Sequence, residues 1–292
     1  MLNKAIFFNR WKLGDLHSNK EYVRQFAKEF IKHGIEVAYF TDSPRNAVNL
    51  PYQYGTISEL APFLIHNPHS FYDESAGILY INTWVGFDLS GETHNYTSQR
   101  YMWKKIAALV KDSTDEAIDI VLRDDTMSYV SDIDRDLIVV PDLAHDKPRV
   151  MFCNNIAESS QSFVGNLESV IDRLSINHPG IEFLCTNKVN VVRDNVKFTS
   201  DMIDSSETGC DLPEISCLSE TCNVIVTNCS GPGTFVMTRR NFLDHSKTIV
   251  QFSNWPENVF WHNVEGVLAK TIWHNVVDDD AIFNILEEII NA

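Results

Sequence analysis

The 292-residue sequence lacks an apolar run of the roughly 20 residues that a membrane-spanning helix requires. Its start has only the short apolar run 5–8 before charged residues return, so we also expect no signal peptide. Basic residues are scarce, because 24 Lys and Arg stand against 40 Asp and Glu, for a formal net charge of −16. Nucleic-acid binding depends on Lys and Arg that neutralise phosphates, so this balance argues against a nucleic-acid partner.

Several motifs of common enzyme classes are also missing. The sequence contains no C-x-x-C pair, H-E-x-x-H, G-x-S-x-G, G-x-G-x-x-G or Walker motif. These absences argue against zinc peptidases, serine hydrolases, nicotinamide enzymes and P-loop ATPases, and we predict no resident metal or cofactor. The chain is long enough to need no disulfide bonds, so its six cysteines are predicted to be reduced thiols of a cytoplasmic protein.

The first half of the chain has the pattern of an α/β protein. An apolar strand is predicted over 4–9, a helix from about Ser18 to His33, and a second strand over 35–41. Strand–helix–strand units of this kind build parallel sheets. Short strands are further predicted over 118–122 and 137–140.

The second half repeats the alternation of strands and helices. An apolar strand is predicted over 224–228, followed by a helix over 233–243. The length of the chain suits two domains, which we place at 1–145 and 146–292. Open α/β sheets bind ligands beyond the carboxyl ends of their strands, so the loops after strands are the places to search for a site.

The loop after the first strand carries several groups suited to chemistry. Its candidate residues are Arg10, Lys12, Gly14, Asp15 and His17. Asp15 is interpreted as a general base for a hydroxyl group of a bound acceptor, with His17 as the second candidate. The alternative is that Asp15 or Ser18 only caps the following helix and that His17 is structural.

A glycine loop follows the strand predicted over 224–228. Its residues are Ser230, Gly231, Pro232, Gly233 and Thr234. Glycine allows close approach to the backbone, and N–H groups at the following helix end favour phosphate, although the same motif also suits a tight strand-to-helix turn. Replacement of Gly233 by valine is expected to lower ligand affinity with only modest loss of thermal stability. Other candidates for sugar, ribose, base or phosphate contact follow strands in this half: Asn154, Thr186, Asn187 and Met202.

Together the two loops resemble those of inverting glycosyltransferases with the GT-B fold, especially the lipopolysaccharide heptosyltransferases. That family has Gly-Asp between its first strand and helix, as in Gly14-Asp15, and an Asp-Ser/Thr-Gly-Pro loop more than 200 residues later. Here Cys229 precedes Ser230-Gly231-Pro232, and a lysine usual in the family's donor domain is missing. Lys188, Arg239 or Arg240 are the candidates to replace its charge.

The resemblance implies two facing Rossmann-like domains with an interdomain cleft. Domain 146–292 would bind a nucleotide-sugar donor through the glycine loop and the other strand-end residues. Domain 1–145 would bind the acceptor beside Arg10, Lys12 and Gly14, and Asp15 would act as base. The acceptor is a glycan, a glycolipid or another hydroxyl compound, so peripheral contact with a membrane is compatible with the hypothesis. The alternatives are a nucleotide-sugar epimerase or hydrolase of the same fold, and a non-catalytic glycan- or nucleotide-binding protein.

Overall fold

The computed structural model describes residues 1–10, 13–43, 50–60, 69–84, 96–135, 138–141, 143, 147–156, 164–204, 210–253, 259, 261 and 264–292. The chain divides into two compact units. One unit comprises Met1–Ser131 and His262–Glu265, and the other comprises Asp132–Trp261 and Gly266–Ala292. The segment 132–145, which the sequence-based division placed in the first domain, belongs to the second unit. No helix in the described ranges is both long and apolar enough to cross a bilayer.

The first unit is built on a five-stranded sheet. Its strands are β1 (Lys4–Asn9), β2 (Glu36–Thr41), β3 (Gln53–Gly55), β4 (Phe71–Asp73) and β5 (Ile78–Asn82). They lie in the order β3-β2-β1-β5-β4, with only the β4–β5 pair antiparallel. The helices are α1 (Leu13–Lys32) and α2 (Tyr96–Ser113). Because the chain goes from β1 to β2 on one side and later to β5 on the other, the order of the strands reverses between β1 and β5.

Aromatic packing holds α1 and α2 on this sheet. Tyr22, Phe26 and Phe30 recur at helical spacing on α1 and are all buried. Phe7 of β1 lies 6.1 Å from Phe30 between ring centroids, and Trp103 of α2 stacks on Tyr22 at 5.4 Å. Full burial of one such side chain is worth about 1.5–3 kcal/mol, so this face of the sheet supplies the main core of the first unit.

The second unit is built on a six-stranded, fully parallel sheet. Its strands are β6 (Arg149–Phe152), β7 (Glu182–Cys185), β8 (Val196–Phe198), β9 (Val224–Thr227), β10 (Thr248–Phe252) and β11 (Lys270–His274). Their order is β11-β10-β9-β6-β7-β8. The helices are α3 (Glu168–Asn177), α4 (Leu212–Ser219), α5 (Gly231–Phe235), α6 (Arg239–Phe242) and α7 (Asp279–Ile290). The order of the strands reverses here between β6 and β9.

The six cysteines all lie in the second unit. Each is a buried, reduced thiol, as the sequence predicts for their oxidation state. Burial raises the pKa of Cys229 to about 11 and that of Cys185 to about 12. These thiols are therefore protonated and unreactive in the folded chain.

The α/β class predicted from the sequence is confirmed, whereas some predicted elements are wrong. Residues 118–122 and 138–140 form no strand. The helix predicted over 233–243 is instead divided into α5 and α6, which are separated by residues 236–238. The short strands β3 and β4 and the strand β11 were not predicted. All three lie at or next to the edges of their sheets, where the apolar pattern is weaker.

Candidate functional site

Hydrogen-bonded side chains join the carboxyl ends of β1 and β5 in the first unit and form the floor of that sheet edge. Asn9 Nδ2 donates to Thr83 Oγ1 at 3.0 Å, and the Tyr39 hydroxyl lies 3.4 Å from the same oxygen. All three residues are buried. The sequence analysis did not single them out, although the positions of Asn9 and Thr83 at the ends of apolar strands were a usable signal.

Asp15 lies in the first turn of α1, close after the end of β1, and is half-buried. Burial raises the pKa of its carboxyl group to about 6. Burial also raises the pKa of Tyr39, and the charge of Asp15 adds to that effect, so the carboxylate lies within electrostatic range of the floor. No described residue donates a hydrogen bond to this carboxylate. Such a group is ionised at pH 7 and is basic enough to accept a proton.

The interpretation of Asp15 or Ser18 as a helix cap is wrong. Helix α1 begins at Leu13, so both residues lie inside it. Ser18 Oγ donates to the Asp15 carbonyl at 3.1 Å and accepts a hydrogen bond from Gln99 Nε2 at 3.0 Å. The capping prediction failed because the helix was predicted to start at about Ser18, whereas the buried polar residues around that position lie inside it.

His17 is buried, with 1% of its surface exposed. Its backbone carbonyl accepts a hydrogen bond from Ser131 Oγ at 2.5 Å. Burial lowers the pKa of the imidazole well below its ordinary value, and the charges of Lys20 and Arg24 lower it further. The ring is therefore neutral, and its burial supports the structural interpretation over a catalytic one.

Of the other three predicted residues of this loop, the structure describes two. Arg10 is exposed directly after β1, and Gly14 is half-buried in the first turn of α1. Lys12 lies outside the described residues. The contact of these residues with an acceptor stays a prediction.

In the second unit, Asn154 connects the loops after β6 and β7. Its Nδ2 donates to the carbonyls of Asn166 and Asn187, both at 3.1 Å. Its Oδ1 accepts a hydrogen bond from the Asn187 N–H at 2.9 Å. Asn154 is completely buried, and both of its amide protons are used. This predicted ligand-binding side chain therefore positions the Asn187 backbone.

Asn155 connects three strand ends. Its side chain accepts a hydrogen bond from Thr186 Oγ1 at 2.6 Å, and its carbonyl accepts one from Asn228 Nδ2 at 2.9 Å. The second of these bonds spans the point between β6 and β9 where the strand order reverses.

Met202 ends a short 3₁₀ turn after β8. In the sheet, β6 and β7 separate β8 from β9. The structure thus brings Asn154, Thr186 and Asn187 together and leaves Met202 at the edge strand.

The glycine loop adopts a capped turn. Ser230 Oγ accepts a hydrogen bond from the Gly233 N–H at 3.3 Å, and the Ser230 carbonyl accepts one from the Thr234 N–H at 2.9 Å. Helix α5, which follows, has only five residues. Its dipole is therefore much smaller than that of the helix predicted from the sequence.

The two glycines of this loop have different surroundings. A Cβ atom on Gly233 would lie 2.3 Å from the Asn228 carbonyl oxygen and 2.3 Å from Thr227 Oγ1. A Cβ atom on Gly231 would have Leu212 Cδ1, at 3.8 Å, as its nearest contact. Gly233 is thus required by packing, whereas the surface at Gly231 is open.

Each cation considered as a replacement for the family's lysine already has an acidic partner. Lys188 pairs with Asp201 at 2.6 Å, Arg239 with Asp132 at 3.2 Å, and Arg240 with Glu220 at 3.6 Å. These pairs are partly exposed and therefore weak, and the binding of a phosphate group by these cations stays a prediction.

Within the described ranges, no three His, Cys, Asp or Glu side chains are grouped so that they could hold a metal ion. Asp124 and Asp125 are adjacent in sequence but have separate roles. Asp124 pairs with Arg100 at 3.5 Å, and Asp125 caps a 3₁₀ turn by accepting the Met127 N–H at 3.0 Å.

No protein-family model matches the chain, and no curated protein matches it in sequence. Solved structures do match it in fold. The S. aureus MnaA–UDP co-structure has a TM-score of 0.56 and 12% sequence identity, and the match covers 100% of this chain and 88% of that one.

Structures of glycosyltransferases are also similar. The glycosyl transferase family 9 structure from Veillonella parvula DSM 2008 has a TM-score of 0.48 and 11% identity, covering 98% of this chain and 89% of that one. The E. coli ADP-heptose LPS heptosyltransferase II has a TM-score of 0.48 and 11% identity, covering 99% and 98%. The predicted resemblance to structures of this family is thus found. At sequence identities this low, the comparisons establish the fold only, and the activity has to be inferred from the residues of the site.

Proposed function

We propose that the chain is an inverting glycosyltransferase that moves a sugar from a nucleotide-sugar donor to a hydroxyl group of an acceptor. The observation that carries this proposal is Asp15, a half-buried carboxylate with a pKa of about 6 beside the carboxyl end of β1. A group of this pKa is matched to proton abstraction near neutral pH. The acceptor is a glycan, a glycolipid or another compound with a hydroxyl group.

The second unit is proposed to bind the donor at the carboxyl ends of β6, β7 and β9. Support comes from the position of the reversal in strand order and from the open backbone at Gly231. The similarity of fold to MnaA, whose structure contains UDP, suggests a nucleoside diphosphate as the bound part of the donor. The Gly231 N–H has no acceptor among the described residues and is a candidate to donate to a phosphate oxygen.

The reaction is then a single displacement. The acceptor oxygen attacks the anomeric carbon while its proton passes to an Asp15 carboxylate oxygen, and the bond from that carbon to the nucleoside diphosphate breaks. Attack from the face opposite the leaving group inverts the configuration. Because Asp15 is half-buried, its carboxylate is less hydrated than in water and accepts the proton more readily.

Binding of nucleotides is the first test of this function. A ligand that binds only the native chain raises its thermal stability by RT ln(1 + [L]/Kd), so at least one of UDP, ADP, GDP and CDP should raise the melting temperature. Transfer from the matching nucleotide-sugar to an acceptor, with inverted configuration in the product, completes the test. Epimerised or hydrolysed sugar without an acceptor would instead support the alternative enzyme of the same fold. Binding without turnover would support a non-catalytic protein, and no binding at all would refute the proposal.

Activity should not depend on a divalent metal. The described residues hold no cluster suited to such an ion, and backbone N–H groups of the glycine loop are the proposed partners of the leaving group. We expect turnover in excess EDTA to stay within about a factor of two of the untreated rate, since preorganised donors need no ion. Loss of turnover with EDTA and recovery with Mg²⁺ or Mn²⁺ would contradict this mechanism and direct attention to Asp124 and Asp125.

A further inference from the structure

The first turns of α1 bury polar side chains, whereas the rest of the helix buries apolar ones. Residues 17–20 are His, Ser, Asn and Lys, and all four are buried. From Tyr22 onward, the buried residues of the helix are all aromatic or aliphatic. Buried polar groups cost free energy unless they are hydrogen-bonded, and apolar residues of similar shape would pack equally well. The polar turns therefore indicate a requirement other than packing.

Two chains of hydrogen bonds connect α2 with the backbone of Asp15. In one, Gln99 Nε2 donates to Ser18 Oγ at 3.0 Å, and Ser18 Oγ donates to the Asp15 carbonyl oxygen at 3.1 Å. In the other, Trp103 Nε1 donates to Asn19 Oδ1 at 2.8 Å, and Asn19 Nδ2 donates to the same carbonyl oxygen at 2.9 Å. The four side chains are buried. Both chains thus end on one backbone atom of the residue that is proposed as the base.

The connection to α2 distinguishes these bonds from local ones. Serine and asparagine within a helix often bond to a carbonyl three or four residues earlier. Here the two donors are held in turn by side chains that lie 81 and 84 residues further along the sequence. Those two side chains, Gln99 and Trp103, are four residues apart and so lie on one face of α2. The turn that carries Asp15 is therefore fixed relative to α2.

The Asp15 carboxylate has no comparable support of its own. Among the described residues, none donates a hydrogen bond to it, so its oxygens take their position from the backbone of the turn. A general base must lie within hydrogen-bond reach of the proton that it accepts, and a displacement of about 1 Å can lower a rate about 10²-fold. The backbone of this turn thus decides whether the base reaches its substrate.

We infer that Ser18, Asn19, Gln99 and Trp103 are positioning residues, which hold the turn of α1 so that the Asp15 carboxylate reaches the acceptor hydroxyl. This inference rests on the proposed function. The four side chains act through the Asp15 backbone and need no contact with either substrate.

Variants that break one chain each test this inference. Ser18→Ala removes a single oxygen atom, and Asn19→Leu replaces the amide by an apolar group of similar size. We expect kcat to fall about tenfold in each, because the base is no longer held at its place. Donor affinity should not change, since the proposed donor residues belong to the second unit. Ser18→Thr keeps a hydroxyl group that can bond to the same carbonyl and should restore kcat.

Tyr129→Phe is the matched control. It removes the hydrogen bond from the Tyr129 hydroxyl to Gln25 Oε1, at 2.5 Å, which holds the same helix seven residues after Ser18. This variant should lose melting temperature as Ser18→Ala does, while its kcat stays at the wild-type value. An equal fall of kcat in Tyr129→Phe would overturn the inference, because the loss would then follow stability alone.

The titration of Asp15 separates positioning from stability. Burial raises the pKa of this carboxyl group to about 6, so a released turn that admits water should lower the pKa towards 3.8. In Ser18→Ala, the acid limb of kcat/KM should then move to lower pH. The ¹³C NMR signal of the Asp15 carboxyl group, assigned by its loss in Asp15→Asn, reports the same shift without substrate.

Two results would overturn the inference in different ways. Wild-type kcat and an unchanged Asp15 pKa in both Ser18→Ala and Asn19→Leu would exclude a positioning role, and the proposed function would stand as long as Asp15→Asn is inactive. An Asp15→Asn variant that kept its turnover would instead refute Asp15 as the base, and with it both the proposed mechanism and the inference.

Discussion

Replacement of Asp15 by asparagine should lower kcat by about 10²–10⁴-fold, the usual contribution of a positioned general base. The amide keeps the shape of the side chain but cannot accept the proton. Donor affinity should not change, since the proposed donor residues all belong to the second unit. A variant that kept half of the wild-type turnover would exclude Asp15 as the base.

The same substitution should stabilise the folded chain above pH 6. Burial raises the pKa of Asp15 from 3.8 to about 6, so the folded state binds a proton more tightly than the unfolded state. Ionisation of Asp15 therefore lowers the free energy of unfolding progressively as the pH rises from about 4 to 6. The shift in its pKa corresponds to at most about 3 kcal/mol. Asp15→Asn removes this cost at pH 8, where its melting temperature should be several degrees above that of the wild type.

Two measurements separate these effects. In the wild type, kcat/KM should fall below a pH near 6, where the free enzyme's base becomes protonated. Melting temperatures of wild type and Asp15→Asn should converge as the pH falls below 3.8, where Asp15 is neutral in the folded chain and becomes neutral in the unfolded chain as well. Asp112→Asn on the exposed surface of α2 is the control and should change neither quantity. A lower stability of Asp15→Asn at pH 8 would show that the carboxylate has a structural role.

The glycine loop should give opposite results for its two glycines. Gly233→Ala places a methyl group 2.3 Å from a backbone oxygen that cannot move without the loop, so we expect a loss of about 3 kcal/mol or more in the free energy of unfolding. Gly231→Ala meets only Leu212 at ordinary contact distance and should change that free energy by less than about 1 kcal/mol. Denaturant unfolding measures both values.

Ligand affinity completes this comparison. Gly231→Ala adds a methyl group beside the proposed phosphate position and should weaken nucleoside diphosphate binding about tenfold, although the variant folds normally. Unchanged affinity in Gly231→Ala would place the phosphate elsewhere. The structure also corrects the sequence-based expectation for Gly233→Val, since a branched side chain at this position disrupts packing and its effect on affinity would not report on the ligand.

The strands that carry the site were the most predictable part of the chain. β1 and β9 have continuous apolar stretches, and these were placed correctly to within a residue. Helix α1 was predicted to begin too late, because its first turns contain buried polar residues whose partners come from distant parts of the chain. Trp103 Nε1, for example, donates to Asn19 Oδ1 at 2.8 Å across 84 residues of sequence.

Candidate residues were predictable by position and not by role. The sequence placed Asn154 and Ser230 at strand ends, where the structure has them. It could not show that the Asn154 side chain is used to hold Asn187, since that depends on β6 and β7 being adjacent.

Because all six buried thiols lie in the second unit, the two units differ in their reaction with thiol reagents. A thiol-specific reagent finds no cysteine in the first unit and only protected ones in the second. The rate at which the native chain is labelled therefore equals the rate at which parts of the second unit open, when labelling is faster than closing. Stabilisation of that unit by a bound ligand becomes visible as slower labelling, without any engineered probe, and Cys229 reports on the neighbourhood of the glycine loop itself.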